Sequence, residues 1–145
     1  METIEDFCKK FELPAPAHTV LQKEYYEEDA VLKKIAGSIK GLIPLSIGSM
    51  LGKKGDQFKP SPRLLEYLKE KGAPCAELDE KTSYLFLCGR DVLEAQNAPK
   101  GVIILTDEQG RILGYGKKLR DKFSGRPIIK NMWDKGDFLR REMGK

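Results

Sequence analysis

Residues 100–118 read KGVIILTDEQGRILGYGKK, and the rest of the chain is best read outward from them. Val102 to Thr106 is a β-branched run too short for a helix. Arg111 to Tyr115 repeats the apolar character before Gly116 and a lysine pair, so both segments read as strands. Between them Asp107-Glu108-Gln109-Gly110 has the chemistry of a type I turn closed by a left-handed glycine. Aspartate can bond back to the backbone there, and only glycine takes positive φ cheaply. Gly114-Tyr115-Gly116 lacks the third glycine of a dinucleotide fingerprint and closes a strand instead of opening a helix. It reads as a bulge or as the close approach of another backbone.

Around this hairpin the second half of the chain is β-rich. Cys75 to Leu78 and SYLFL (Ser83 to Leu87) read as strands, Asp79-Glu80 as a turn, and Asp91 as the cap of a short helical turn over Val92 to Gln96. After the hairpin, Arg120 to Arg126 is a basic loop and Pro127 to Met132 a last strand. Asp134 and Asp137, just ahead of a small helix from Phe138 to Met143, read as capping carboxylates and not as an acid–base pair. Upstream, Gly72-Ala73-Pro74 marks a boundary, and Ser61-Pro62 opens a helix with Leu64, Leu65 and Leu68 on its apolar face.

Further toward the N-terminus, Thr3 and Asp6 start a helix that buries Ile4, Phe7, Cys8 and Phe11, and Pro14 and Pro16 stop it. His18 to Tyr26 reads as one extended segment. Asp29 caps a second helix with Val31, Leu32, Ile35, Ala36 and Ile39 as its stripe, and Leu42 to Leu51 reads as a bent strand. Gly48-x-x-x-Gly52-Lys53-Lys54 is one residue too short for a phosphate-binding P-loop and has lysine where a metal-binding hydroxyl is required.

The 145 residues, 40% hydrophobic and 33% charged, suit one domain or two small ones. No apolar run approaches the roughly 18–20 residues of a membrane helix, and the acidic start METIEDFCKKFE is unlike a signal peptide, so a cytoplasmic setting is expected, or a nuclear or nucleolar one in a eukaryote. Cys8, Cys75 and Cys88 are widely spaced with no C-x-x-C pair, so they read as reduced and structural, and neither a disulfide framework nor a metal site is expected.

The net charge of +4 is unevenly distributed. Residues 1–30 carry eight acids against Lys9, Lys10 and Lys23. Residues 111–130 carry Arg111, Lys117, Lys118, Arg120, Lys122, Arg126 and Lys130 against Asp121 alone. The basic run is either a solvated surface or the footprint of a polyanion. Catalytic constellations are not visible: His18 is the only histidine and has no partner spacing, so no enzymatic activity and no cofactor are expected.

The succession SYLFLCGRDVLEA, KGVIIL, GRILGYGKK and PIIKNMWDKGDFLRRE resembles the PUA domain, a small RNA-binding pseudo-barrel. More narrowly it is similar to the PUA domain of the Nip-seven family of large-ribosomal-subunit biogenesis factors. In that family a strand and glycine-containing turn precede a short helix, as in Leu85 to Leu93, and a hairpin ends in a Leu-Gly-Phe/Tyr-Gly element, as in Leu113 to Gly116. The family closes on Asp-x-Gly-Glu/Asp-aromatic-x-Arg, as in Asp134 to Arg140. Upstream, EYYEEDAVLKKIAGSIKGLIPLSIG and RLLEYL resemble the family's preceding α/β domain. That domain has a longer helix and extra strands where this chain has only the segment before Glu24, which fits a short, archaeal-type member.

The resemblance implies an α+β fold, with a small N-terminal α/β pre-PUA-like domain over residues 1–73 and a PUA β pseudo-barrel over 74–145. It implies a monomer that binds RNA, ribosomal RNA or its precursor, alongside ribosome-assembly proteins. The same residues emerge from the charge count: Lys117, Lys118, Arg120, Lys122, Arg126 and Lys130 as phosphate contacts, flanked by Arg90 and Lys100. Tyr115 can either stack a base or pack in the sheet. Arg140 and Arg141 are equally explained by a helix dipole. Two other functions fit the sequence: a protein-interaction adaptor using Glu24, Glu27 and Glu28, and a detached targeting module of an RNA-modification system.

Overall fold

The computed structural model describes residues 2–21, 23–27, 50–95 and 98–137. The helix expected from Val31 to Ile39, most of the strand from Leu42 and the C-terminal helix lie outside these residues, as do Arg140 and Arg141. The chain divides into two compact units, Met1–Tyr67 and Leu68–Lys145.

In the first unit α1 (Ile4–Lys9) starts on a reciprocal cap. The Asp6 amide donates to Thr3 Oγ1 at 3.2 Å and the Thr3 amide to Asp6 Oδ2 at 3.1 Å, so two otherwise unsatisfied donors are used. The segment expected to be one extended run is a hairpin, β1 (His18–Leu21) and β2 (Glu24–Glu27). It is continued by β3 (Met50–Lys53) and β4 (Lys59–Pro60) into an antiparallel sheet of order β1-β2-β3-β4. Phe7, Phe11, Tyr25 and Phe58 form its aromatic core, with ring centroids 5.1–5.7 Å apart. His18 is held by the Pro16 carbonyl at 2.8 Å and lies 3.1 Å from Glu5, a structural position. Helix α2 (Pro62–Glu70) starts where Ser61-Pro62 required, with Ser61 Oγ accepting from the Leu64 amide at 3.3 Å. The division between the units falls within this helix.

The second unit is a mixed sheet of order β5-β6-β7-β8: β5 (Cys75–Glu77) runs parallel to β6 (Val102–Thr106), then β7 (Ile112–Arg120) and β8 (Pro127–Asp134) follow antiparallel. The opening hairpin is β6–β7, and Gly110 takes φ +79° at its turn. Strand β7 does not stop at Tyr115, however. It continues through Gly116 and both lysines to Arg120, and β8 runs two residues past Met132, because these halves pair with each other over their whole length. The α+β class expected from the sequence is the class observed, with the strands concentrated in the C-terminal part.

SYLFL, expected to be a strand, is helical. It belongs to helix α3 (Glu80–Leu87), capped by Asp79, whose carboxylate accepts from the Thr82 amide at 2.7 Å. Aromatic and leucine content favoured a strand, but a short apolar run cannot be assigned by periodicity, and the aspartate read as a turn residue is the helix start. The helix buries Phe86 against Ile103, Leu105, Leu113 and Ile129 on one face of the sheet. The helical turn expected over Val92 to Gln96 is not formed by its described residues, 92–95. Val92 forms a two-way backbone bridge to Ile129 at 2.9 Å on the edge of β8, and Asp91 Oδ1 accepts from the Asn131 amide at 2.8 Å.

Gly114 and Gly116 are there for proximity. A Cβ on Gly116 would lie 2.6 Å from the Lys130 carbonyl oxygen, and one on Gly114 would lie 2.8 Å from Asp134 Cα. Ladder irregularities flank them, at Leu105/Thr106 and at Tyr115/Gly116.

Candidate nucleic-acid interface

Cross-strand partners share a face of a sheet, so the ladder sorts the basic residues. Lys117 pairs with Lys130, in one row with Tyr115–Trp133 and Leu119–Ile128. Lys118 pairs with Ile129 and Arg120 with Pro127 on the opposite face, the one that α3 covers further along. What is one charge run in the sequence is therefore split over two faces. Lys117 and Lys130 are both exposed, and placing like charges directly opposite each other is unfavourable until an anion lies between them.

On the second face Lys118 is half-buried, and its ammonium donates to the Ala98 carbonyl at 2.6 Å, fastening the 98–101 segment to β7. Lys100, Lys118, Leu119, Arg120 and Pro127 line a depression of about 380 Å³. Arg90 lies elsewhere, in a groove of about 820 Å³ between α3 and residues 89–94. Glu77, Asp79, Asp91 and Glu94 share its lining with one further cation, Lys81, so four carboxylates face two cations, an acidic setting for a phosphate contact. Arg111, part of the same basic count, is engaged at the far end of the hairpin, with Nε 2.6 Å from Asp107 Oδ2. Burial pushes the Asp107 carboxyl up, but hydrogen bonds from Arg111 and Gln109 outweigh it and hold the group below its ordinary value.

The β7–β8 connection is a fastened tip. The Asp121 amide donates to the Arg126 carbonyl and the Gly125 amide to the Asp121 carbonyl, both at 2.9 Å, and Gly125 takes φ +70°. The Asp121 carboxylate accepts from Ser124 Oγ at 2.8 Å and from the Phe123 and Ser124 amides at 3.4 Å. These bonds lower its pKa, the Ser124 hydroxyl first. Arg120 Nη1 donates to the Gly125 carbonyl at 3.2 Å. Lys122 and Arg126 stand exposed on this tip with Phe123 between them.

Tyr115 is completely buried, which settles its role as sheet packing. The aromatic side chain at the surface is Phe123, 98% exposed, and composition alone gave no reason to single it out. The available signal was its place, an aromatic inside a turn of Asp, Lys, Ser, Gly and Arg that has no apolar period to bury it. Among the described residues no helix is long and apolar enough to cross a membrane. No curated protein matches the chain. Residues 74–143, which include the whole basic ribbon, match a family model described as the UPF0113 PUA domain, and the match supports a PUA domain over that part of the chain.

Proposed function

We propose that the protein is a non-enzymatic RNA-binding factor that acts in assembly of the large ribosomal subunit, with the β7–β8 ribbon as its RNA surface. PUA domains as a class bind RNA, and the observation that carries the surface assignment is the Lys117–Lys130 pair, two exposed ammonium groups in register on a PUA sheet. Lys122 and Arg126 at the tip extend the positive potential, which phosphates answer with counterion release. The narrower ribosomal role rests on the resemblance to the Nip-seven family, in which residues 1–73 take the place of the pre-PUA domain. A cytoplasmic setting, with ribosomal RNA or its precursor and assembly proteins as partners, goes with it.

An adaptor function through the acidic N-terminal segment is less favoured. Glu27 is engaged with Arg63 through two bonds of 3.0 Å, and Glu24 accepts from the Tyr26 hydroxyl. The test has two arms. Single-stranded RNA titrated at several salt concentrations should show log K falling with log salt by about 0.7 per neutralised phosphate, with a smaller slope for the Lys122→Ala/Arg126→Ala double variant. Crosslinking to cellular RNA should recover ribosomal sequences. Salt-insensitive or undetectable binding removes the RNA reading, and non-ribosomal recovered RNA removes the ribosomal one.

A further inference from the structure

Phe123 is the most exposed large apolar side chain among the described residues. An exposed phenylalanine on a loose loop would need no explanation, since apolar atoms cover much of any protein surface. This one is presented by a loop whose backbone is fixed: the Asp121 carboxylate takes up three donors from residues 123 and 124, and Arg120 ties down Gly125. Those bonds also occupy the one acidic group of the tip, so its outward chemistry is an aromatic ring between Lys122 and Arg126.

We propose that Phe123 is the base-stacking residue of the RNA surface, and that the RNA it takes is unpaired. The inference rests on the RNA-binding reading above and adds the class of RNA. Bases within an A-form duplex are already stacked on their neighbours and screened by a groove that side chains do not enter, so a ring on a narrow tip can stack only on a splayed-out base. Every base offers a π-face, so such a contact discriminates strandedness more than sequence. Phosphates on either side of the stacked base would fall to Lys122 and Arg126, and the strand would continue along the ribbon toward Lys117 and Lys130. A track of cations along two strands suits a polyanionic chain better than the plane of a lipid surface. A single ring is too small to seat an apolar protein partner.

The experiment uses the full-length chain with three probes: labelled oligouridylate, the same RNA annealed to oligoadenylate, and phosphatidylserine-containing vesicles. Phe123→Ala should weaken oligouridylate binding about tenfold, the loss of one base–aromatic stack. It should leave the salt slope, the duplex affinity and the melting temperature unchanged, because the ring contacts no phosphate and almost nothing in the fold. Phe123→Trp should bind at least as tightly as the native chain and show indole quenching on binding.

Unchanged oligouridylate affinity in Phe123→Ala, alongside a weakened Lys122→Ala/Arg126→Ala variant, overturns this inference and leaves the RNA reading standing. An equal loss on duplex, or vesicle binding that Phe123→Ala abolishes while oligouridylate binding persists, also overturns it. If the native chain binds neither RNA, both readings fall together.

Discussion

Lys117→Glu should stabilise the protein and weaken its RNA binding, and the opposite signs of the two effects make the substitution informative. Lys117 lies directly opposite Lys130, so the charged groups start from Cβ atoms about 5 Å apart, inside the Debye length of about 8 Å at physiological salt. Like charges so placed cost about 0.2–1 kcal/mol, and an opposite pair gains a similar amount. Both side chains are exposed, so screening keeps the net gain near 0.5–1 kcal/mol. For a unit the size of Leu68–Lys145 that raises the melting temperature by about 2–8 °C.

The charge effect is read against Lys117→Gln, which removes the cation without adding an anion, and it should shrink at about 1 M salt. Lys130→Glu alone should show a similar gain and the Lys117→Glu/Lys130→Glu double variant, which restores like-charge repulsion, should lose it, which closes a double-mutant cycle. RNA titration should show the salt slope reduced by as much as about 1.4, since one phosphate contact is lost and Lys130 is engaged by the new carboxylate. If Lys117→Glu melts below Lys117→Gln, the two residues do not face each other. If the slope is unchanged, this pair is not the RNA surface.

Three further outcomes are expected. Gly116→Ala forces a methyl against the Lys130 carbonyl at 2.6 Å, and because the obstacle is backbone it should destabilise by about 2–3 kcal/mol in urea unfolding; a change within error would disprove the close approach. The Asp107 carboxyl is held below its ordinary value of 3.8, so its contribution to stability is complete above that pH and is lost as the pH falls through the lower folded value. Asp107→Asn should therefore lower stability at neutral pH and flatten the loss on acidification below the ordinary carboxylate value, and parallel acid titrations that superimpose for the two proteins would refute this. Burial, with Glu5 adding to it, pushes the Cys8 thiol up to about 12, whereas Cys88 is exposed. A thiol reagent at mildly alkaline pH should label Cys88 in the folded protein and Cys8 only on unfolding, as peptide mass mapping would show.

Features that depend on a few neighbouring residues were legible in the sequence. The Thr3–Asp6 cap, the Ser61-Pro62 helix start and the Gly110 turn all form where the residues place them, because donor, acceptor and required φ lie within one turn of chain. Asp79 shows the limit. Its capping signal is equally local, but the neighbouring SYLFL is rich in β-favouring residues, and only packing of Phe86 onto Ile103, Leu105 and Ile129 decides for the helix. The extents of β7 and β8 were likewise beyond reach, since neither Gly116 nor Lys118 looks like mid-strand until the other strand is there to pair with it.

The candidate surface divides in the same way. The amino-acid sequence by itself determined that a hairpin at 102–116 leads into a block of positive charge and that the fold around it mixes helix and strand. Tertiary structure alone decided which of those charges share a face, that Lys118 is tied to Ala98 while Lys117 meets Lys130, and that Tyr115 is inside while Phe123 is out. The physical reason is register. Side chains alternate between faces every residue, and a single extra residue at the Tyr115/Gly116 irregularity exchanges the faces of everything beyond it, so the working surface is set by the strand that comes back and not by the one that goes out.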